Sequence, residues 1–225
     1  MNTQPHVTKV SNSVIRRLSR YHRTLNTLEE QKTIIISSKR ISEMVGVHAA
    51  QVRKDFSVFG SFGARGIGYD VRSLKEELSN ILGLNRKWNI IIIGAGQLGN
   101  VLANSKELKK NNFIVKKIFD ESPDMIKDTG DEIMVYHLDQ IEKKIDPRED
   151  HLAIIAVPPR EVQSIINRLG KIGIKGVLYF GSRAVHIPEN MVVFNQDMSI
   201  SLKVLAYALK EKCDTSQGSS KRGDS

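Results

Sequence analysis

Apolar residues recur at helical spacing through Val14, Ile15, Leu18, Tyr21, Leu25 and Leu28, which predicts an amphipathic helix with Ser13 placed to cap its start. Its opposite face carries Arg16, Arg20 and Arg23, with Arg17 beside them. The stretch 37–56 then reads helix, tight turn, helix. Ser37 or Ser38 can cap the first helix, Gly46 takes the φ > 0 of the turn, and the second helix runs from about 48 to 56 with Ala49, Val52 and Phe56 on one face. The glycine-rich run Phe59-Gly60-Ser61-Phe62-Gly63-Ala64-Arg65-Gly66-Ile67-Gly68-Tyr69 predicts a β-hairpin wing. A helix around Leu74, Leu78 and Ile81 closes this module, and 83–87 reads as a linker.

From Trp88 the period changes. The apolar run 89–93 predicts a buried strand that enters Gly94-Ala95-Gly96-Gln97-Leu98-Gly99 directly. A helix through Val101, Leu102 and Leu108 follows, then a strand over 113–119 that ends on Asp120. The alternation continues with strands at 134–136, 152–157, 176–180 and 191–194 and helices at 137–144 and 160–169. This pattern predicts a Rossmann-like, doubly wound parallel sheet. A last helix over 200–211, with Leu202, Leu205 and Leu209 on one side, can dock on its own sheet or on a partner. The tail 213–225 is expected to be disordered. The fold class is therefore α/β, with a winged helix-turn-helix domain over 1–86 (motif and wing about 14–69) and a nucleotide-binding domain over 87–212.

Charge separates the two modules. The 225 residues carry a net charge of +9, yet 1–86 hold 14 Lys and Arg against 7 Asp and Glu, a net of +7, while 87–225 hold 20 against 18. A basic module attracts polyanions and releases their counterions on binding, so nucleic acid is the first candidate partner, with a solvated basic surface as the alternative. With 40% apolar residues the chain can bury a core, which excludes wholesale disorder. The single cysteine, Cys213, makes no internal disulfide and reads as an incidental thiol, consistent with a reducing cytoplasm. No apolar run approaches the roughly 18 residues needed to cross a bilayer, and no signal peptide is expected.

On the second helix of the motif, Ala50, Lys54 and Ser57 form the outward arc with Gln51 and Arg53 on its flanks, a mixture suited to phosphates and base edges. Ser38 and Lys39 at the start of the preceding helix, and Arg65 and Gly66 in the wing, are the other candidate DNA contacts; a Gly-rich lid over a ligand is the alternative reading of the wing. In the sheet, Gly94 makes the tight turn, Gly96 lets a pyrophosphate approach the backbone, and Gly99 lets helix and strand pack closely, with Ala95, Gln97 and Leu98 completing the loop. Asp120 lies 21 residues past Gly99, where a carboxylate accepts from ribose hydroxyls, and the absence of a nearby Arg favours NAD over NADP. The segments around Pro158, Gly181 and Asp197 follow later strands and are candidate pocket walls. The histidines His6, His22, His48, His137, His151 and His186 show no metal-ligand spacing, and no proton donor for hydride transfer is recognisable, so a sensor is favoured over an enzyme and no metal or catalytic residue is expected.

These residues together resemble the Rex family of redox-sensing transcriptional repressors over almost the whole chain. The matches are Gln51-Val52-Arg53-Lys54-Asp55, the glycine-rich run 59–69, Ile81-Leu82-Gly83-Leu84-Asn85-Arg86, the loop 94–99, and Gly173-Ile174-Lys175-Gly176. The resemblance implies a homodimer with exchanged C-terminal helices that reads a palindromic operator, is released when NADH binds, and stays competent when NAD⁺ competes. It also implies a switch in which Arg23 pairs with Asp197 across the dimer. Two positions depart from the family pattern: Ser105 stands where members often carry Tyr, and Met198 where an aromatic helps isolate the nicotinamide. The alternatives from other classes are a small NAD-dependent oxidoreductase and a DNA-binding regulator that senses another nucleotide, such as coenzyme A.

Overall fold

The computed structural model describes residues 10–63, 67–122 and 133–220. The chain divides between Lys87 and Trp88 into two units.

In the N-terminal unit, α1 (Asn12–Glu30) buries Leu18, Tyr21, His22, Leu25 and Leu28. It starts earlier than the periodicity predicts: Ser11, not Ser13, is the N-cap, and the two hydroxyls lie 2.9 Å apart. After β1 (Ile35–Ile36), α2 (Ser38–Val45) is capped by the Ser37 side chain, which accepts from the Arg40 amide, and stops at Gly46 with φ 72°. The second helix of the motif is α3 (Ala49–Ser57). β2 (Tyr69–Asp70) leads into α4 (Val71–Leu82), where Asp70 accepts from the Ser73 amide. Leu18, Tyr21, Leu25, Ile41, Val52, Phe56, Leu74 and Leu78 make one core, so the four helices pack around a shared centre.

The expected hairpin wing is corrected in its pairing. Tyr69–Asp70 runs antiparallel to Ile35–Ile36, the strand ahead of α2, while 59–63 contain no strand. Rings explain the choice: Phe56 holds Phe62 and Tyr69 edge-to-face at 5.6 and 5.2 Å, which draws the glycine-rich segment onto the core. A Cβ on Gly63 would fall 2.3 Å from the Gly68 carbonyl oxygen, so the stem of the loop closes backbone on backbone. Arg65 and Gly66, expected at the tip, lie outside the described residues.

The C-terminal unit is a six-stranded sheet in the order β5-β4-β3-β6-β7-β8, with every pair parallel. Its strands are β3 (Trp88–Ile93), β4 (Phe113–Asp120), β5 (Met134–His137), β6 (Leu152–Ile155), β7 (Gly176–Phe180) and β8 (Val192–Gln196). Strand order reverses between β3 and β6, which is where open α/β sheets leave a crevice at their carboxyl ends. The single helix expected after the glycine loop is two, α5 (Gln97–Ala103) and α6 (Lys106–Lys110). Ser105 causes the break, since its hydroxyl accepts from the Leu108 amide and starts a new helix. A short 3-10 turn (Leu138–Gln140) and α7 (Ile141–Lys144) follow β5, and α8 (Val162–Ile172) joins β6 to β7.

The last helix, α9 (Met198–Ser220), runs through most of the segment expected to be a disordered tail. The good helix formers Leu202, Lys203, Leu205, Ala206, Ala208, Leu209, Lys210, Glu211 and Lys212 supply the nucleated helix that continues past 212. It does not dock on its own sheet: every residue from 201 to 212 is exposed.

A β-bulge sets Ile90 opposite Val115 but Ile91 opposite Lys117, and so turns Lys117 toward the interior. Its ammonium donates to Asp150 at 2.6 Å and to the Lys144 carbonyl at 2.9 Å, while Asp150 also accepts from the Asp146 amide. Removing one partner strands a buried charge. Lys117→Met is therefore expected to lower the unfolding free energy of the C-terminal unit by about 3–5 kcal/mol in urea titration; a loss under about 1 kcal/mol would mean that solvent already reaches the pair.

Candidate dinucleotide site and nucleic-acid interface

The turn after β3 is built by close backbone packing. Gly94 has φ 95°, and a Cβ there would lie 2.6 Å from the Ala156 carbonyl oxygen, across the point where the strand order reverses. A Cβ on Gly99 would lie 1.9 Å from the Gly94 carbonyl oxygen. Both positions need glycine for reasons internal to the protein. Gly96 differs: nothing lies within 4 Å of where its Cβ would stand, and Gly96, Gln97 and Leu98 are all exposed. That open backbone at the head of α5 fits the approach of a phosphate group.

Asp120, at the end of β4, bonds to this turn. Its Oδ2 accepts from the Ala95 amide at 2.7 Å and its Oδ1 from the Ser122 amide at 2.8 Å. Each oxygen keeps a lone pair for a hydroxyl, so the carboxylate both fixes the loop and remains able to receive a ribose. The sequence supplied the acid at the right distance but not its bond to Ala95. Pro158 is exposed after β6, and its carbonyl accepts from the Glu161 amide at 3.0 Å. Asp197, just after β8, accepts from the Ser199 amide at 2.8 Å. The Ser199 hydrogen bonds hold its carboxyl below the usual carboxylate range, so it is charged at neutral pH. Parallel strands bring Gly94, Asp120, Pro158 and Asp197 to the same edge of the sheet.

In the N-terminal unit, Ala50, Arg53, Lys54 and Ser57 are exposed on α3, as is Lys39 on α2. Ser38 is half-buried and accepts from Arg53 at 3.1 Å, which ties the start of α2 to the middle of α3. Gln51 is half-buried, and its amide nitrogen donates to Asp55 at 2.7 Å. Asp55 is the residue that sequence reasoning missed. It is 1% exposed and takes four hydrogen bonds: two from Arg17 at 2.6 and 2.7 Å, one from the Tyr21 hydroxyl at 2.9 Å, and the one from Gln51. The signal was an acid inside a basic helix beside core residue Phe56, with Arg17 and Tyr21 four apart on α1. Burial alone would raise the Asp55 pKa, but the hydrogen bonds and charge of its partners outweigh it and leave the value depressed. The arginine stripe on α1 is thereby divided. Arg17 is committed to Asp55 and Arg20 to the Val45 carbonyl, whereas Arg16 and Arg23 are exposed. Arg23 and Asp197 belong to different units.

Among the described residues no group of three or more His, Cys, Asp or Glu could hold a metal, and no helix is long and apolar enough to cross a membrane.

A basic helix-turn-helix unit joined to a dinucleotide-type sheet defines a class: DNA-binding regulators with a nucleotide-binding domain. Family models agree with both halves, one described as a putative DNA-binding protein N-terminus over residues 9–57 and one as a CoA binding domain over 85–182. The redox-sensing transcriptional repressor Rex of Clostridioides difficile is 39% identical over 202 residues, covering 90% of this chain and 96% of that protein. That of Clostridium botulinum is 42% identical over 202 residues, covering 90% and 96%. The solved structure of RSP, a Rex-family repressor, in complex with beta-NAD⁺ and operator DNA matches with a TM-score of 0.83 and 36% identity, covering 96% of this chain and 100% of that one. RSP in complex with beta-NADH matches with 0.83 and 35% identity, covering 93% and 99%. The chain belongs to the Rex family of redox-sensing transcriptional repressors, a family of regulators rather than enzymes.

The Asp55 cluster makes the N-terminal unit acid-sensitive in a defined way. A depressed folded pKa gives stability that is present above the unfolded value of about 3.9 and lost as pH falls through the lower folded value. Asp55→Ala is expected to cost about 3–5 kcal/mol at pH 7, with the gap to the wild type closing below about pH 4. Denaturant unfolding at a series of pH values checks this; a gap that does not change with pH would contradict it.

Proposed function

We propose that this chain is a cytoplasmic, homodimeric repressor that binds palindromic operator DNA through α3 and the glycine-rich loop, and that NADH releases it from the operator while NAD⁺ competes for the same site. The observation that carries the nucleotide half is the open backbone at Gly96 beside an Asp120 carboxylate already bonded to Ala95. The DNA half is supported by the exposed arc of Ala50, Arg53, Lys54 and Ser57 in a unit of net charge +7. RSP has been solved with operator DNA and NAD⁺, and with NADH, which supports joining the halves into one switch.

The dimer follows from α9. Met198, Leu202, Leu205 and Leu209 lie along one side and Ile200, Val204 and Tyr207 along the other, and all are more than half exposed. A helix with two apolar faces needs cover on both. A second copy of the chain supplies that cover when the helices are exchanged. Arg23 on α1 is exposed and Asp197 heads α9 as a charged carboxylate, so the pair can form across the exchanged helix in the NADH-bound state. Ser105 caps α6 through its hydroxyl, which accepts from the Leu108 amide. Coenzyme A, suggested by the description of the second family model, fits less well, because its ribose carries a phosphate that Asp120 would repel.

The test selects DNA from random duplexes at fixed salt and titrates the winner with NADH, NAD⁺ and coenzyme A. A palindrome released by NADH and not by the other two is expected; a palindrome that no nucleotide disturbs would reject the redox switch. Asp120→Ala should keep operator binding but weaken NADH binding by about 10- to 100-fold, the worth of a charged hydrogen-bond acceptor. Loss of DNA binding in that variant would contradict the division of labour between the units.

A further inference from the structure

Asp55 has a consequence for how DNA is read. Its Oδ1 receives Arg17 Nη2 and Gln51 Nε2, both at 2.7 Å, and its Oδ2 receives Arg17 Nε at 2.6 Å and the Tyr21 hydroxyl at 2.9 Å. Four donors fill the roughly four lone-pair sites of a carboxylate. An ionised carboxylate only accepts, so the Gln51 amide has one orientation available: nitrogen toward Asp55, carbonyl oxygen away. Turning the amide over would set Oε1 against Oδ1 at a residue 1% exposed and leave a buried acceptor pair without a proton.

The freed end faces water. Among the described residues Gln51 Oε1 has no hydrogen-bond partner and no buried side-chain nitrogen or oxygen lacks one, so this oxygen is solvent-accessible. Gln51 is the third residue of α3, and the first turn of a recognition helix is the part that meets base edges. It stands on the flank beside exposed Lys54. Phosphate oxygens are acceptors and repel a carbonyl. In the major groove the complementary groups are the exocyclic amines, N6 of adenine and N4 of cytosine.

We infer that Gln51 is a specificity-determining residue whose outward carbonyl accepts a hydrogen bond from the exocyclic amine of an operator base, with Asp55 as the positioning residue that fixes the amide before DNA arrives. The inference rests on the operator-binding reading above and adds the atom and the base chemistry. Because the amide is held in advance by a rigid cluster, little rotamer freedom remains to be lost on binding.

The experiment uses the full-length protein and its selected operator. At each symmetric pair of positions, adenine is replaced by purine riboside, which lacks N6, by 7-deazaadenine, which lacks N7, and cytosine by a pyrimidinone that lacks N4. Affinity is measured for the wild type and for Gln51→Met, which keeps the length of the side chain and the apolar stem. At one symmetric pair, loss of the amine is expected to weaken the wild type by about three- to tenfold per half-site, the worth of one hydrogen bond, and to leave Gln51→Met unchanged. The adenine and cytosine arms identify which base is read. The salt dependence of Gln51→Met should match that of the wild type, since no phosphate contact is lost. If Gln51→Met couples to no position, or couples only to loss of N7, the inference is overturned, the second result meaning that the amide donates. Failure of the wild type to select any DNA would instead reject the operator-binding reading itself.

Discussion

The carbonyl oxygen of Gly94 sits 1.9 Å from where a Cβ on Gly99 would have to be, and the rest of the nucleotide-binding unit depends on that close approach. It sets α5 directly against the end of β3, holds the turn beside Ala156 at the reversal of strand order, and delivers the Ala95 amide to the Asp120 carboxylate at 2.7 Å. A methyl group at Gly99 would push the helix away from the strand and break the bond to Asp120. Gly96 lies between the closely packed Gly94 and Gly99 but is itself open, and its exposed backbone is what remains for a ligand.

Each unit uses one carboxylate to fasten a recognition element to its scaffold. In the C-terminal unit Asp120 ties the glycine loop to β4. In the N-terminal unit Asp55 ties α3 to α1 through Arg17 and Tyr21 and reaches Gln51 on its own helix. Both arrangements fix backbone or side-chain donors in advance, which lowers the ordering cost when a ligand or a duplex binds. The cost is a buried charge in the case of Asp55, offset only while all four donors are in place.

Periodicity made most of the fold legible. The core positions of α1, from Leu18 to Leu28, are those that the 3.6-residue spacing marks, and the glycine loop followed by a strand ending on an acid marks β3, α5 and β4. What periodicity did not show were features fixed by partners distant in sequence. Arg17 and Asp55 are 38 residues apart, and Arg17 reads from the chain as one more member of a basic stripe. Nothing in the local pattern marks Lys117, which a bulge in β4 turns inward to Asp150. Tyr69–Asp70 pairs with Ile35–Ile36 rather than within its own glycine-rich segment, because the ring of Phe56 gathers Phe62 and Tyr69 onto the core. Ser105 acts as a helix cap, a local hydrogen bond that breaks an otherwise continuous apolar pattern. Of the candidate contacts, Ala50, Arg53, Lys54 and Ser57 are outward on α3, whereas the Gln51 nitrogen is already spent inside the unit.

A switch of this kind rests on linkage: a nucleotide can release DNA only by the amount that DNA weakens the nucleotide. The direct measurement is calorimetric titration of NADH into the protein alone and into the protein saturated with operator. The account predicts that operator weakens NADH binding by the same factor by which NADH weakens operator binding, with NAD⁺ affected far less. Equal NADH affinity with and without operator would contradict it.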